Sequence, residues 1–289
     1  MDQKKPTRAY VISVYSKRAL RWWRNSSPYI SGDAFSDLAD VSVYPPKFRG
    51  SRESLDKLSN AEVIFCPSRF LHQFLLEHKN RLSCKVLIAG NDDTEFHNPL
   101  DDLPKTIKRV YLQNSFISDN KFVFTLPIGI ENFRLGVNGH PKHMKRVKSQ
   151  PTINKILFGP FSNTHPERLA VTKYLLSNQG PWDLLQERLS PAVFTLIMSS
   201  YKYVGAVRGN GADTHRLWES LYRQSIPILK LDDWSNSLRR LNLPIEFVSD
   251  WNAEELNSLV HEAKDSMVDP KLLAPLWMNF WESEIKSVL

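Results

Sequence analysis

The sequence predicts an α/β fold of two Rossmann-like domains in series, on three observations. Short apolar segments alternate with helical segments along most of the chain, the pattern of a mostly parallel sheet with helices on both faces. A polar stretch at 138–155 interrupts that alternation with Lys or Arg at 142, 145, 146, 148 and 155, after which the pattern starts again. The length of 289 residues, 42% apolar and 24% charged, has room for two ordinary globular domains. The divisions that follow are 1–137 for the first domain, 138–154 for a basic linker, 155–272 for the second domain and 273–289 for a C-terminal helix.

A first strand is expected at 9–16, AYVISVYS, followed by a basic aromatic segment at 17–35. A short helix from Asp33 to Asp40 leads to a strand at 41–46 that ends on two prolines. Residues 51–61 read as helical, with Ser51 as cap and Glu53 nearby. EVIFCPS at 62–68 and KVLIAG at 85–90 read as buried strands around an amphipathic helix at 69–82, with Phe70, Phe74 and Leu75 on one side. Residues 109–114 and 122–132 complete the first set. In the second half, 155–161 (KILFGPF) is a strand and 165–178 a helix with Pro166 in its first turn. A further helix at 190–201 follows. Residues 245–250 read as a strand, 252–267 as a helix capped by Asn252, and 270–289 as a long aromatic-rich helix.

Residues 202–231 carry the densest chemistry. KYVGAV at 202–207 is a strand, RGNGAD at 208–213 a loop, THRLWESLYRQ at 214–224 a helix and IPILKL at 226–231 a buried strand. Gly209 and Gly211 let the loop turn tightly and approach a ligand closely. Asp213 or Thr214 stands at the helix N-cap, and Leu217, Trp218 and Leu221 form its inward stripe. A helix N-terminus has free N–H groups and positive dipole character, so beside Arg208 and Arg216 it suits a phosphate-bearing ligand. Open α/β sheets bind ligands outside the carboxyl ends of their strands, and that rule selects the loops. In the second half it selects Asn163, Thr164, Arg168, Arg208, Asn210, Asp213, Thr214, His215, Arg216 and Glu219. Arginines and N-cap hydroxyls there suit a diphosphate, and Glu219 can accept hydrogen bonds from ribose hydroxyls.

The net charge of +7 favours an anionic partner without requiring nucleic acid. Cys66 and Cys84 lack metal-ligand spacing and read as buried thiols of a reducing compartment. No apolar run approaches the ~20 residues of a membrane span, and the start of the chain has no hydrophobic signal region, so a cytoplasmic location is expected. The sequence holds no G-x-G-x-x-G after the first strand, no P-loop, no H-E-x-x-H and no G-x-S-x-G. Asp232–Asp233 is expected to act in a loop or cap rather than on a metal, because adjacent residues of an extended strand face opposite sides.

GNGADTHRLWESLYRQSIPI at 209–228 resembles the donor-site signature of exostosin-like and related bacterial glycosyltransferases of the GT-B class. LPIGIEN at 126–132 and FGPFSNTHPER at 158–168 are similar to that class's other motifs, and ISGDAF at 30–35 and AGNDDTEF at 89–96 to its acceptor-side loops. Together they span residues 30 to 230. One departure is Gln224–Ser225, where relatives often have a glycine. The resemblance implies two Rossmann-like domains facing a cleft, with the nucleotide-sugar donor on the second domain and a saccharide or lipid-linked saccharide acceptor on the first. It implies metal-independent transfer with no cofactor, in surface polysaccharide or glycan synthesis, and a last helix that packs back on the first domain. Ser31, Asn91, Glu131 and Asn132 then fall on the acceptor side.

An inverting enzyme needs one general base to deprotonate the acceptor. The candidates are Asp33, Asp92 and Asp93, with Glu131 behind them; Asp92 and Asp93 rank above Asp33 because they directly follow a strand. A different class of function is a nucleotide- or nucleic-acid-binding regulatory protein. It would use Lys142, Lys145, Arg146, Lys148 and the RWWR segment at 21–24. The same basic linker can instead remain solvated or dock at the inner face of an anionic membrane.

Overall fold

The computed structural model describes residues 26–44, 55–100, 103–117, 120–135, 138, 140–144, 151–262 and 269–289, together with the backbone of 11–13. The strands are β1 (Val11–Ser13), β2 (Val41–Tyr44), β3 (Val63–Pro67), β4 (Val86–Gly90), β5 (Arg109–Leu112), β6 (Val123–Thr125), β7 (Ile153–Phe158), β8 (Trp182–Leu184), β9 (Tyr201–Gly205), β10 (Ile226–Lys230) and β11 (Glu246–Val248). The α-helices are α1 (Gly32–Ser36), α2 (Leu71–His78), α3 (Pro166–Ser177), α4 (Pro191–Met198), α5 (His215–Tyr222), α6 (Asp233–Ser237), α7 (Ala253–His261) and α8 (Met278–Lys286).

Strands β1 to β6 form one sheet in chain order, with β1 antiparallel to β2 and the other pairs parallel. Both faces are covered, which is why β3 and β4 are continuous apolar runs. Ile64, Cys66, Leu87 and Ala89 pack in one cluster with Leu71 and Phe74 of α2. Their alternates Phe65, Ile88 and Tyr111 pack in another with Phe35 of α1 and Trp281 of α8. Cys66 and Cys84 are free and buried. Burial pushes both thiols up, Cys84 to about 12.

The second sheet runs β11-β10-β9-β7-β8, all parallel. Its order reverses at β7: the chain steps outward to β8, then returns to the other side of β7 with β9. Val171 and Leu175 of α3 and Leu256 and Val260 of α7 pack in one cluster with this sheet. Trp218 of α5 and Trp234 of α6 lie instead in the cluster shared with the first sheet and α8, so the two halves meet through common apolar packing.

Several local expectations change for identifiable reasons. The segment 270–289 is not one long helix: two 3-10 turns, Pro270–Leu272 and Ala274–Leu276, precede α8. Pro270 and Pro275 each lack an N–H and break the ladder, and their carbonyls accept the indole N–H groups of Trp277 and Trp281. The 69–82 helix is likewise α only over Leu71–His78, with 3-10 turns at Ser68–Phe70 and Lys79–Arg81. Strand β8 has no counterpart in the sequence reading. Strand β7 begins inside the 138–154 segment. Residues 55–59 form a 3-10 turn, whereas Ser51, Glu53, the 21–24 segment, Lys145, Arg146 and Lys148 lie outside the described residues. Asp232 caps α6 in a reciprocal capping box with Ser235. Among the described residues no helix is long and apolar enough to cross a membrane.

Candidate functional site

The reversal at β7 places the ends of β7 and β9 side by side while their connections leave in opposite directions, the arrangement that opens a ligand crevice in an α/β sheet. A cavity of about 400 Å³ lies there, walled by the loops after β7 and β9, by α4 and α5, and by Asp93, Ile128 and Glu131 of the first half. That volume suits a small-molecule ligand.

Gly159 follows β7 with φ +70, and a Cβ there would lie 2.2 Å from the Leu185 carbonyl oxygen, so only glycine fits. Its own carbonyl accepts from Nη1 of Arg216 at 2.6 Å. His165 caps α3, and Arg168 in the first turn reaches across to the β9 loop. Its Nε donates to the Arg208 carbonyl (2.9 Å) and its Nη1 to the Thr164 hydroxyl (2.8 Å) and the Ser162 hydroxyl (3.1 Å). Arg223, at the end of α5, donates to the Glu219 carbonyl, the His143 carbonyl and the Thr195 hydroxyl. All these partners of Arg168 and Arg223 are neutral.

Arg216 also stacks over the Phe194 ring, 4.3 Å from its centroid, and its Nε stands 3.9 Å from a Glu219 oxygen. Burial lowers the pKa of Arg216 to about 10; Glu219 opposes the shift, and the charges of Arg168 and Arg223 add to it. Burial lowers Arg168 and Arg223 as well. Arg216 therefore senses the charges of both other desolvated cations, while Glu219 offsets Arg216 and Arg223 and Glu167 offsets Arg168; an anion would relieve that crowding of positive charge.

The N-terminus of α5 opens into the same cavity. Thr214 has the extended backbone of an N-cap, yet its side chain makes no capping bond, and its Oγ1 is buried without a hydrogen-bond partner among the described residues. Such an orphan group is costly unless a ligand meets it. His215 Nδ1 lies 2.7 Å from the Gly129 carbonyl oxygen. Asp213 is a bridge between the halves: it accepts from the backbone N–H of Ile128 (2.7 Å) and from Trp218 Nε1 (2.8 Å), while its own N–H donates to Asn114. Burial raises its carboxyl to about 7, although these hydrogen bonds lower it.

Of the residues expected on the donor side, Thr164, Arg168, Asn210 and Asp213 come together with Thr214, His215, Arg216 and Glu219 around this cavity. Asn163 is exposed on the loop and does not line it. Arg208 turns away: it pairs with Glu95 of the first half and lines a second, smaller cavity. The two loop glycines serve close packing within the protein. A Cβ at Gly211 would lie 2.7 Å from Asn114 Nδ2, and one at Gly209 3.0 Å from Arg168 Nη2.

Of the residues expected on the first half, only Asp93 and Glu131 line the cavity, Asp93 accepting from Asn210 Nδ2 at 3.3 Å. Asp92 is engaged on both oxygens, by Arg69 and by the N–H and hydroxyl of Thr94. Asp33 belongs to a closed network: it accepts from Arg134 and Asn91, its N–H donates to Asn132, and Asn132 donates to Asn91. Burial raises Asp33 despite Arg134. Ser31 caps α1. That network fastens the loops after β4 and β6 to α1.

Sequence reading missed Arg223, Phe194 and His143 as cavity residues. A signal for Arg223 was present: positions 216, 219 and 223 share one helical face. Comparison with protein-family models and with curated proteins finds no match to this chain.

Proposed function

We propose that this chain is a glycosyltransferase of the GT-B type, similar to the exostosin-like class, that moves a sugar from a nucleotide-sugar donor to a saccharide or lipid-linked saccharide acceptor in glycan synthesis. The observation that carries the reading is the group of three partly desolvated arginines, Arg168, Arg216 and Arg223, beside the unpartnered Thr214 hydroxyl at the start of α5. A diphosphate bound there restores an opposite charge to the guanidinium groups and an acceptor to the hydroxyl.

In this reading the donor's diphosphate lies against the α5 N-terminus and Arg216, and Glu219 accepts from the ribose hydroxyls. Phe194 and Phe161 supply apolar faces to the nucleoside. Asp93, on the opposite wall, takes the proton from the acceptor hydroxyl as its oxygen bonds to the anomeric carbon. The bond from that carbon to the phosphate oxygen breaks, and the nucleoside diphosphate leaves with its new charge held by the arginines and the helix dipole. Work at the cytoplasmic face of a membrane fits a lipid-linked acceptor.

Thermal-shift titration tests the reading. Nucleoside diphosphates and nucleotide sugars should stabilise the protein, by about 2.7 kcal/mol at ~100 times the dissociation constant. Arg216→Met should abolish the shift. Stabilisation by oligonucleotides alone, steeply weakened by salt, would instead establish the regulatory-protein class.

A further inference from the structure

The second cavity, about 200 Å³, lies across the 208–212 loop from the arginine cavity, at the ends of β9 and β10. Its wall includes Glu167, Arg208, Lys230, Asp232, Trp234 and Trp251. Most charges there are already matched. Arg208 pairs with Glu95, Lys230 Nζ lies 2.9 Å from Asp250, Glu167 accepts from Trp251 Nε1 at 2.6 Å, and Asp232 accepts from the Ser235 N–H. Two donors are not matched: Arg208 Nε and Trp234 Nε1 are buried without a hydrogen-bond partner among the described residues, and the Trp234 side chain is 2% exposed.

This wall discriminates between ligand classes. An anion would meet the carboxylates of Glu167 and Asp232. An aliphatic ligand would leave both orphan N–H groups unmet, at the desolvation cost that makes such groups rare. A neutral ring bearing several hydroxyls suits this wall: its oxygens accept from the two N–H groups and its hydroxyls donate to spare carboxylate lone pairs. Half the volume of the arginine cavity excludes a nucleoside diphosphate but leaves room for one ring.

We infer that this second cavity binds a single neutral sugar ring, separately from the arginine cavity. The inference rests on the lining and not on the transferase reading, which locates a nucleotide elsewhere. Saturation-transfer NMR of the full chain with free hexoses and methyl hexosides, with and without saturating nucleoside diphosphate, tests it. The expected result is a sugar signal that persists with the nucleotide present. It should weaken about tenfold in affinity in Trp234→Phe, which keeps an aromatic ring but removes the orphan donor. Because Trp234 is buried and its variant can fail to fold, Glu167→Gln is the second variant. It keeps the shape and an acceptor for Trp251 while removing the charge, and should also weaken the sugar by severalfold. Absence of any sugar signal, unchanged affinity in both folded variants, or loss of the signal on adding the nucleotide would each overturn the inference. Absence of nucleotide binding with the sugar signal intact would sink the transferase reading and leave this one standing.

Discussion

Asp213→Asn should change how stability depends on pH, in a direction set by burial. The wild-type carboxyl is raised in the folded state from 3.8 to about 7 because burial disfavours its charged form. Below pH 3.8 both folded and unfolded chains carry the proton, and the group contributes no pH dependence. Between 3.8 and about 7 the unfolded chain releases the proton while the folded chain holds it, so stability falls as pH rises. Above about 7 the loss is complete and constant. The displacement is about 3 pH units, which at about 1.36 kcal/mol each is at most roughly 4 kcal/mol. Asparagine has no such titration, although its single acceptor facing the Ile128 and Trp218 donors leaves one unmet, at about 1–3 kcal/mol at every pH. Urea unfolding of both proteins from pH 4 to pH 8 measures the difference. The stability of the variant relative to wild type should improve across that range by up to roughly 4 kcal/mol. Parallel curves would refute the reasoning and mean that the bridging carboxyl titrates in the ordinary range.

Gly129→Ala should destabilise the protein by about 2–4 kcal/mol in the same assay. The residue has φ +68, and a Cβ would lie 2.2 Å from the Ile30 carbonyl oxygen, which accepts from Ile130 N–H. In a transfer assay, Asp93→Asn should lower turnover by about 10²–10⁴-fold with nucleotide binding retained. Asp33→Asn and Asp92→Asn should act mainly on stability, because their carboxylates are tied to Arg134 and Arg69; equal turnover loss in all three would remove Asp93 from its role. Cys66 and Cys84 should resist a thiol reagent at pH 8 in the native protein and react fully after unfolding, since burial holds both thiols up.

Gln224 shows how a departure in the sequence becomes a definite piece of geometry. It adopts φ +67 just after α5, with Gln224 N–H donating to Leu221 and Ser225 N–H to Ser220, so the helix ends in a glycine-type cap without the glycine. The helix end was therefore readable as a local fact. Its neighbour Arg223 was readable only as a member of the face shared with Arg216 and Glu219; its partners, the His143 carbonyl and Thr195 of α4, arrive from elsewhere in the chain.

The sequence by itself determined the two mostly parallel sheets and the loops after β7 and β9 that wall the larger cavity. Strands buried on both faces must be apolar runs, helix starts need caps, and both are local demands that the chain writes into consecutive residues. Only the tertiary structure decided which polar groups act together. It drew Asp33 and Asp92 into ion pairs, left Asp93 on the cavity wall, turned Arg208 toward Glu95 and assembled Arg168, Arg216 and Arg223 around one cavity. Those outcomes rest on contacts between residues up to a hundred or more positions apart, and no local propensity encodes them.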